Sequence, residues 1–360
     1  MVPSRWIEAA VVRKPGGRLK IERLQLEAPR DDEALVRLVA SGICHTDLAC
    51  WEYGETGAVV LGHEGAGVVE QAGKNVRTAK PGDHVVLSYQ SCGCCRPCQA
   101  DRPAHCTRFW DLNFGFARRD DSNALAANNV RGHFFGQSSF ATHTLATDRN
   151  LVKVAKSLPL GLLAPLGCGL QTGAGTVMNS LGVKAGSSIA IFGTGSVGLA
   201  AVMAARIMGA DPIIGIDIRA HRLTLARELG ATHALLARRV TNLGRKITAI
   251  TGSGLDYVVE TSGNASLERL GCNLLNPGGR LALLTGGSGR ETLPEGRKVL
   301  SIIQGDAIPQ QFIPLLIKLH GKGRFPFDRL ITYYPFRDIN RAFSDSRQGK
   351  TIKPVLRIGE

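Results

Sequence analysis

The chain has 360 residues, of which 44% are hydrophobic, 21% are charged and 43 are glycines. This length favours two domains over one core, and so many glycines exclude a helical bundle and favour an α/β protein with tight turns. The formal net charge of +14 would suit a nucleic-acid partner, but no run of five like charges occurs, so we expect none.

From residue 9 to about residue 154, short β-type segments alternate with Gly, Pro and Asp. Predicted strands are Ala34–Val39, Gly67–Glu70 and His84–Leu87, the last directly after the turn signal Pro-Gly-Asp at 81–83. We therefore expect this part of the chain to form a compact β-rich domain with loops.

Three residues of metal-ligand type lie far apart and among small residues. Cys44 begins C-H-T-D, His63 lies in G-H-E-G-A-G, and Cys168 lies in L-G-C-G. Two Cys and one His would leave one position of a tetrahedral zinc ion open for a substrate. Spacing alone does not exclude the alternative, in which each of these residues contributes to packing and binds no metal.

A second group of cysteines has the compact spacing C-x2-C-x2-C-x7-C: Cys92, Cys95, Cys98 and Cys106. Four thiolates saturate a tetrahedral zinc ion, so we predict a structural zinc site, with free thiols or a disulfide pair as the alternative. Cys94 is an extra thiol inside the loop and could compete as a ligand. The odd total of nine cysteines and an N-terminus unlike a secretory signal favour reduced thiols and a cytoplasmic location.

Residues 157–183 carry no charge and could be mistaken for a membrane span. Pro159, Pro165 and several glycines interrupt this segment, as do Gln171 and Asn179. We therefore predict buried α/β structure here and no association with a membrane.

After this segment, predicted strands and helices alternate. The strands are Ser188–Phe192, Ile213–Asp217, Tyr257–Glu260 and Arg280–Leu284, with helices at Val197–Met208 and His221–Leu229. Such alternation predicts a parallel, doubly wound sheet. The tail from about residue 305 ends in a predicted strand, Ile352–Ile358, which we expect to return to the first domain.

The turn after the first of these strands has the glycine pattern of a dinucleotide site, G-T-G-S-V-G, with Gly193, Gly195, Ser196, Val197 and Gly198. The glycines permit a tight turn, close approach to a pyrophosphate and close helix packing, and the helix N-terminus supplies N–H donors.

Asp217 ends the next predicted strand, where a carboxylate would bind the adenosine ribose and repel a 2′-phosphate. We therefore predict NAD rather than NADP. Arg219 and Arg222 favour NADP instead, since either could approach a 2′-phosphate. Two alternatives remain: Arg222 contacts the ribose, or both arginines are solvated surface charges.

Two metal-ligand sets beside a dinucleotide motif predict a metal-assisted dehydrogenase. Together the motifs resemble the zinc-containing alcohol dehydrogenases of the medium-chain dehydrogenase/reductase superfamily. The resemblance extends along nearly the whole chain, through G-I-C-H-T-D at 42–47, G-H-E-G-A-G-V-V at 62–69, P-G-D-H-V at 81–85, the four-Cys lobe, G-T-G-S-V-G and T-I-K-P-V-L near the end. The segments F-F-G-Q-S-S-F-A-T at 134–142 and Q-G-D-x-x-P-Q-Q-F-I-P at 304–314 are similar to aryl, allylic and terpenoid alcohol dehydrogenases.

The resemblance implies an α/β fold with a GroES-like catalytic domain (1–160 and 304–360, with the zinc lobe at 88–108) and a Rossmann domain (161–303) that binds NAD. It implies two zinc ions per subunit, a primary alcohol or aldehyde as the small-molecule substrate, and a homodimer or homotetramer. The implied ligands of the catalytic zinc are Cys44, His63 and Cys168, with Glu64 close by and Asp47 orienting the ligands. Thr46 would take the substrate hydroxyl proton toward the nicotinamide ribose, Thr172 would lie near the nicotinamide, and Lys353 would meet the pyrophosphate. His45 is a candidate contact of a cofactor phosphate, with an exposed loop histidine as the alternative.

Two positions depart from the pattern of many relatives. Ala49 stands where a histidine often completes the proton relay, so the relay would end at ribose and water or use His45. Ser88 stands where an aromatic residue is frequent, which suggests room for a bulky ring or prenyl chain. Trp51, Phe109, Trp110 and Phe140 are candidates for apolar pocket walls or for core.

Three other functions compete with this interpretation: a medium-chain dehydrogenase for aliphatic alcohols or polyols, a non-catalytic protein that binds NAD or zinc, and a zinc-dependent nucleic-acid module. The intact set of Cys44, Thr46, His63 and Cys168 argues against the second. The third leaves Asp217 and the glycine motif unexplained.

Overall fold

The computed structural model describes residues 4–54, 57–125, 128–239, 242–285 and 295–359. The strands found there are, in chain order, β1 Arg5–Val12, β2 Lys20–Leu26, β3 Glu33–Gly42, β4 Val59–Val60, β5 Gly65–Ala72, β6 His84–Leu87, β7 His143–Thr147, β8 Leu151–Val154, β9 Ile189–Phe192, β10 Ile213–Asp217, β11 His233–Leu236, β12 Leu255–Glu260, β13 Leu275–Leu283, β14 Lys298–Ser301, β15 Ile331–Pro335 and β16 Lys353–Arg357. The α-helices are α1 His45–Tyr53, α2 Arg96–Gln99, α3 Phe109–Phe114, α4 Leu160–Leu163, α5 Gly169–Gly175, α6 Ser196–Met208, α7 Ala220–Leu229, α8 Leu243–Thr251, α9 Ala265–Leu274, α10 Pro309–Gly321 and α11 Ile339–Arg347.

The chain divides into two compact units. Unit 1 comprises Met1–Cys168, Ile308–Ile317 and Asp328–Glu360, and unit 2 comprises Gly169–Ala307 and Lys318–Phe327. These limits differ from the predicted boundaries of the domains. Residues 161–168 lie in unit 1, where the Ser88 hydroxyl donates to Gly167 O at 2.7 Å. Residues 304–307 and 318–327 lie in unit 2, where the Gln171 amide donates to Gln304 Oε1 and the Arg324 guanidinium to Ile207 O.

Unit 1 is rich in β-structure, as predicted, and most of its strands pair antiparallel. One sheet has the order β2-β1-β4, and the larger sheet has the order β15-β16-β3-β5-β6-β8, with β7 also paired to β3. The strands β16 and β3 are antiparallel, with Val355 opposite Gly42 and Leu356 opposite Ser41. The last strand therefore lies beside the strand that leads directly into Cys44.

Unit 2 is the doubly wound parallel sheet that the alternation of strands and helices predicts. Its strand order is β11-β10-β9-β12-β13-β14, and all neighbouring strands are parallel. The central strands are continuous apolar runs because helices cover both faces of such a sheet. Ile189–Phe192 is buried throughout, as is Ile213–Asp217. Helix α6 ends at Gly209, whose φ of 78° terminates it in the left-handed conformation.

The uncharged segment 157–183 forms the short helices α4 and α5, a 3-10 turn at Ala164–Gly167 and a π-helical turn at Thr176–Ser180. Among the described residues, no helix has the length and the apolar composition that crossing a membrane requires.

Candidate metal centres and dinucleotide site

Cys44, His63, Glu64 and Cys168 are buried together in unit 1. Each offers one ligand atom, and these atoms all lie within 4.8 Å of one another. His63 is fully buried, and its Nε2 has no hydrogen-bond partner. A buried imidazole nitrogen without a partner is costly unless it binds a cation, so this donor set fits a zinc ion. Two cysteines and one histidine match the ligands of a catalytic zinc site with one open position.

Asp47 connects the two segments that carry Cys44 and His63. Cys44 precedes α1 as its N-cap residue, and Asp47 lies in the first helical turn. The fully buried Asp47 carboxylate accepts hydrogen bonds from Cys44 N at 2.9 Å and Gly62 N at 3.1 Å, and its Oδ1 lies 2.9 Å from His63 Nδ1. Because a carboxylate accepts, Nδ1 carries the proton and Nε2 keeps its lone pair for a metal.

The charges around these residues shift their proton affinities. Hydrogen bonding to Cys168 and the charges of Lys353 and His63 hold the pKa of Cys44 well below its usual range, although burial opposes this. Burial lowers the pKa of His63, but the charge of Asp47, its hydrogen bond to the imidazole and the charge of Cys44 outweigh burial and raise it to about 10. A thiolate at Cys44 is the form that binds zinc, and zinc would displace the extra proton of His63.

Glu64 forms a buried ion pair with Lys353. Both Glu64 oxygens lie 2.9 Å from Lys353 Nζ, which also donates to Ile43 O at 3.3 Å. The side chains are 0% and 1% exposed, respectively. Burial raises the pKa of Glu64 to about 7 against the opposing effect of the ammonium, and Glu64 raises the pKa of Lys353. The pyrophosphate contact of Lys353 stays a prediction, whereas the observed partner of its ammonium is Glu64.

The other residues expected at the catalytic centre lie on α1 or in unit 2. His45 is exposed and Thr46 is half-buried in the first turn of α1, directly after Cys44. Ala49 is half-buried one helical turn later. Thr172 is half-buried on α5 of unit 2, where its carbonyl accepts from the Thr176 hydroxyl. The substrate and cofactor contacts of these residues stay predictions.

Gln137 is a positioning residue that the sequence did not single out. Its buried amide nitrogen donates to His63 O and to Ser88 O, each at 3.0 Å, and its Oε1 accepts from Gly65 N at 3.1 Å. The Ser88 hydroxyl in turn donates to Gly167 O, next to Cys168. One amide therefore supports the backbone at His63 and at Ser88, and Ser88 in turn contacts the residue before Cys168. The sequence feature that could have indicated this residue is the polar tripeptide Q-S-S between the phenylalanines of segment 134–140.

The two aromatic side chains that contact His63 are not among the four that the sequence suggested, although one of those four, Trp110, belongs to the row of rings that begins at His63. Phe135 stacks on the imidazole with ring centroids 4.4 Å apart, and Phe134 approaches edge-on at 5.4 Å. Phe114 contacts Phe135 at 5.0 Å, and the exposed Trp110 lies 5.3 Å from Phe114. A continuous row of rings therefore runs from the metal-ligand set to the surface of unit 1. Trp51 and Phe140 pack on Phe343 instead, whereas Phe109 packs on both Tyr89 and Trp110.

The four-Cys lobe contains a second metal-ligand set, formed by Cys92, Cys95, Cys98 and Cys106. Their Sγ atoms all lie within 4.8 Å of one another. All nine cysteines belong to the described part of the chain and are free thiols, so the disulfide alternative is wrong. The Cys95 thiol accepts hydrogen bonds from backbone N–H groups, of Thr107 above all, which lower its pKa to about 6. Cys94 is exposed and is not part of the set.

The predicted dinucleotide turn of unit 2 lies between β9 and α6. Gly193 has a φ of 88°, a backbone conformation that favours glycine. A Cβ at Gly198 would lie 1.9 Å from Gly193 O, so the close packing of the turn on α6 requires glycine there too. A Cβ at Gly195 would meet no atom nearer than Arg222 Nη1 at 3.8 Å, so the space beside this glycine is open. Ser196 and Val197, both half-buried, begin α6, whose N-terminal N–H groups suit an anion.

Asp217 lies at the end of β10 beside this turn. Its buried carboxylate accepts from Thr194 N at 2.7 Å, from the Thr194 hydroxyl at 3.0 Å and from Arg219 N at 2.9 Å. Arg222 Nη1 lies 3.9 Å from Asp217 Oδ2, and the side chain of Arg222 is only 19% exposed. Arg222 is therefore not a solvated surface charge, because its guanidinium lies between the carboxylate and the open space at Gly195.

Comparison with known proteins agrees with this geometry. Residues 30–156 match the alcohol dehydrogenase GroES-like domain, and residues 196–307 match the zinc-binding dehydrogenase domain. The chain is 45% identical to a geraniol dehydrogenase of Castellaniella defragrans, and the alignment covers 97% of each protein. It is also similar to the crystal structure of an alcohol dehydrogenase zinc-binding domain protein from Burkholderia ambifaria (47% identity, TM-score 0.95, 99% of this chain and 100% of the other). The benzyl alcohol dehydrogenase of Acinetobacter calcoaceticus is a third relative (40% identity, TM-score 0.94, the same coverage). The chain belongs to the zinc-binding alcohol dehydrogenases of the medium-chain dehydrogenase/reductase superfamily.

Proposed function

We propose that the protein oxidises primary aryl, allylic or terpenoid alcohols to aldehydes, reversibly, with zinc and NAD. The observation that carries the proposal is the buried set of Cys44, His63 and Cys168, in which His63 Nε2 has no partner within the described structure. When bound, zinc supplies a Lewis acid for the alcohol or aldehyde oxygen, and NAD supplies the hydride acceptor.

The residues around these ligands prepare the centre for that chemistry. Asp47 holds the proton of His63 on Nδ1 and fixes the orientation of the ring. The side chain of Thr46, in the first turn of α1, is the hydroxyl that would receive the proton of the substrate. Phe134 and Phe135 pack on His63 and exclude water from one side of the centre.

The row of rings from Phe135 through Phe114 to Trp110 supports an aryl or allylic substrate, because such rings pack on flat, apolar groups. The two relatives named after geraniol and benzyl alcohol agree with this substrate class. The test is a steady-state comparison of benzyl alcohol, cinnamyl alcohol, geraniol, ethanol and sorbitol with NAD, with and without a chelator. A kcat/KM for ethanol or sorbitol equal to that for geraniol would favour the alternative, an enzyme for aliphatic alcohols or polyols.

We propose NAD as the cofactor because the Asp217 carboxylate lies at the end of β10 beside the glycine turn, where it would repel a 2′-phosphate. Gly195→Ala tests the dinucleotide site, since the added Cβ meets no atom of the protein within 3.4 Å yet would occupy space needed by a pyrophosphate. We expect unchanged thermal unfolding and at least about a tenfold rise in KM for NAD, from close backbone approach to the pyrophosphate. Gly182→Ala provides a control at a site with open space, although its φ of 56° adds backbone strain. An unchanged KM in Gly195→Ala would contradict the dinucleotide site, and a kcat/KM for NADP equal to that for NAD would contradict the choice of NAD.

We further propose two zinc ions per subunit, a homodimer or homotetramer, and a cytoplasmic location. The two ligand sets support the first, and nine unbridged thiols suit a reducing compartment. Metal analysis together with light scattering of the purified protein tests the stoichiometry and the assembly. One zinc per chain, or a monomer, would contradict them.

A further inference from the structure

The segment that carries Gln137 has an unfavourable backbone conformation. His133, Phe135 and Ser138 have φ values of 64°, 53° and 53°, in the left-handed region that favours glycine. The Ser138 hydroxyl donates to Val60 O at 2.6 Å and so ties this segment to a neighbouring strand. Left-handed residues other than glycine persist only where the surrounding structure fixes them, and they are common at functional sites. The fold therefore tolerates local strain at the residues that place the Gln137 side chain.

The Gln137 amide binds the backbone on both sides of Glu64. Gln137 is 2% exposed. Its side-chain nitrogen donates to His63 O and to Ser88 O, and its side-chain oxygen accepts from Gly65 N. An amide suits this place because it donates two hydrogen bonds and accepts at the same time. The segment that carries the histidine ligand is therefore held by one buried side chain.

Ser88 extends this connection to a second ligand of the catalytic metal. Its backbone carbonyl accepts from Gln137, and its hydroxyl donates to Gly167 O at 2.7 Å. Gly167 directly precedes Cys168, and a Cβ on Gly167 would lie 2.1 Å from Leu87 O, so the two backbones are in close contact. A path of hydrogen bonds therefore joins the backbone of the histidine ligand to that of a cysteine ligand.

We propose that Gln137 couples His63 to Cys168, and that its amide sets the relative position of these two ligands for the catalytic zinc. This inference rests on the catalytic zinc of the proposed function. Gln137 acts through the backbone of the ligands and is therefore a positioning residue. Its loss should disturb both ligand segments, whereas loss of the Ser88 hydroxyl should disturb only the segment of Cys168.

Gln137→Met and Ser88→Ala test this coupling. Methionine has nearly the length of glutamine but cannot replace the hydrogen bonds of the amide, so we expect the catalytic zinc to bind about tenfold more weakly. Ser88→Ala removes one hydrogen bond to Gly167, and we expect about fivefold weaker binding. Because both side chains belong to one path, the loss of affinity in the double variant should be smaller than the product of the two single effects.

Two measurements on the full-length protein separate positioning from stability. Zinc affinity is measured by competition with a chelator, with the zinc of the four-Cys lobe as an internal standard that Gln137→Met should leave unchanged. In the second measurement, cobalt(II) replaces the catalytic zinc, and its visible absorption bands depend on the arrangement of its ligands. Gln137→Met should shift these bands, whereas a substitution that only destabilises the fold should not.

Asn113→Leu is the matched control, because Asn113 makes the same set of hydrogen bonds elsewhere in unit 1. It is fully buried, its amide nitrogen donates to Gln90 O at 3.0 Å and to Phe109 O at 2.7 Å, and its oxygen accepts from Gln90 N at 2.8 Å. We expect Asn113→Leu to lower the unfolding temperature about as much as Gln137→Met does. The affinity of the catalytic zinc and the cobalt spectrum should not change.

Equal weakening of the catalytic zinc by Gln137→Met and Asn113→Leu would overturn the proposal, since a general loss of stability would then explain both. An unchanged cobalt spectrum in Gln137→Met would also overturn it, as would single effects that multiply in the double variant. If Gln137→Met does not fold, Gln137→Glu takes its place with the same criteria, because a carboxyl group keeps the acceptor for Gly65 N but cannot donate to both carbonyls.

The zinc content and the alcohol oxidation of the wild type are measured first. Failure of the proposed function shows in those two values. Failure of the coupling shows only in the comparison of the variants.

Discussion

Replacing Asp47 by Asn tests whether one buried carboxylate organises the catalytic metal site. Asp47 Oδ1 lies 3.1 Å from Gly62 N and 2.9 Å from His63 Nδ1, while Oδ2 accepts from Cys44 N at 2.9 Å. All three partners therefore present a hydrogen to the carboxylate. An asparagine that keeps its oxygen toward Gly62 and His63 directs its NH2 group at the N–H of Cys44, so two donors face each other.

The size of the effect follows from this geometry. One buried backbone donor without an acceptor costs about 1–3 kcal/mol of the free energy of unfolding. Loss of the carboxylate that orients a metal-binding histidine typically lowers metal affinity by about 10- to 100-fold. We therefore expect the catalytic zinc of Asp47→Asn to bind about 10- to 100-fold more weakly, with the zinc of the four-Cys lobe as an internal standard that does not change.

The assay is a competition between the enzyme and a chelator of known zinc affinity, combined with urea unfolding of the same samples. Asp31→Asn is the control, because that carboxylate is 60% exposed and pairs with the exposed Lys74. A change in catalytic zinc affinity below threefold in Asp47→Asn, or equal weakening at the four-Cys lobe, would refute the reasoning.

Two other predictions concern buried ion pairs in unit 1. Glu64→Gln removes the hydrogen-bonded counter-charge of the buried Lys353 ammonium and should lower the free energy of unfolding by about 3–5 kcal/mol, whereas Glu64→Gln with Lys353→Met should recover most of that loss in urea titrations. Equal losses in the single and double variants would contradict this. Arg118 binds both oxygens of the buried Glu33, at 2.7 and 3.0 Å, so Arg118→Met should also cost about 3–5 kcal/mol. The exposed Lys74→Gln should have no measurable effect, and equal effects of these two substitutions would argue against a role for burial.

Local signals in the sequence located the regular elements well. The observed strands His84–Leu87 and Ile213–Asp217 have the predicted bounds, and α6 begins one residue before its predicted start. Where a strand is followed by a glycine turn and an apolar helix, the sequence shows the end of the strand and the start of the helix. The period of the hydrophobic pattern changes at the turn between them. The fold class and both metal-ligand sets were likewise visible in motifs.

The supporting interactions were not visible, because they join residues that are distant in sequence. Lys353 pairs with Glu64 across 289 positions only because β16 aligns antiparallel with β3. Gln137 reaches His63 across 74 positions, and no periodic pattern predicts which amide of a polar stretch points inward. The aromatic neighbours of His63 were missed for the same reason: Trp51 and Phe135 look alike in sequence, but only the second stacks on the imidazole.

The charges at the catalytic centre show how a zinc ion would fit it. With neutral thiols, the buried carboxylates of Asp47 and Glu64 are matched by the ammonium of Lys353 and a protonated His63. Ionising Cys44 and Cys168, the form that binds zinc, adds two buried negative charges, each costly unless it is paired. A zinc ion would replace the extra proton of His63 and add one further positive charge, next to both thiolates. The charge balance of the cluster is therefore compatible with metal binding once the thiols ionise.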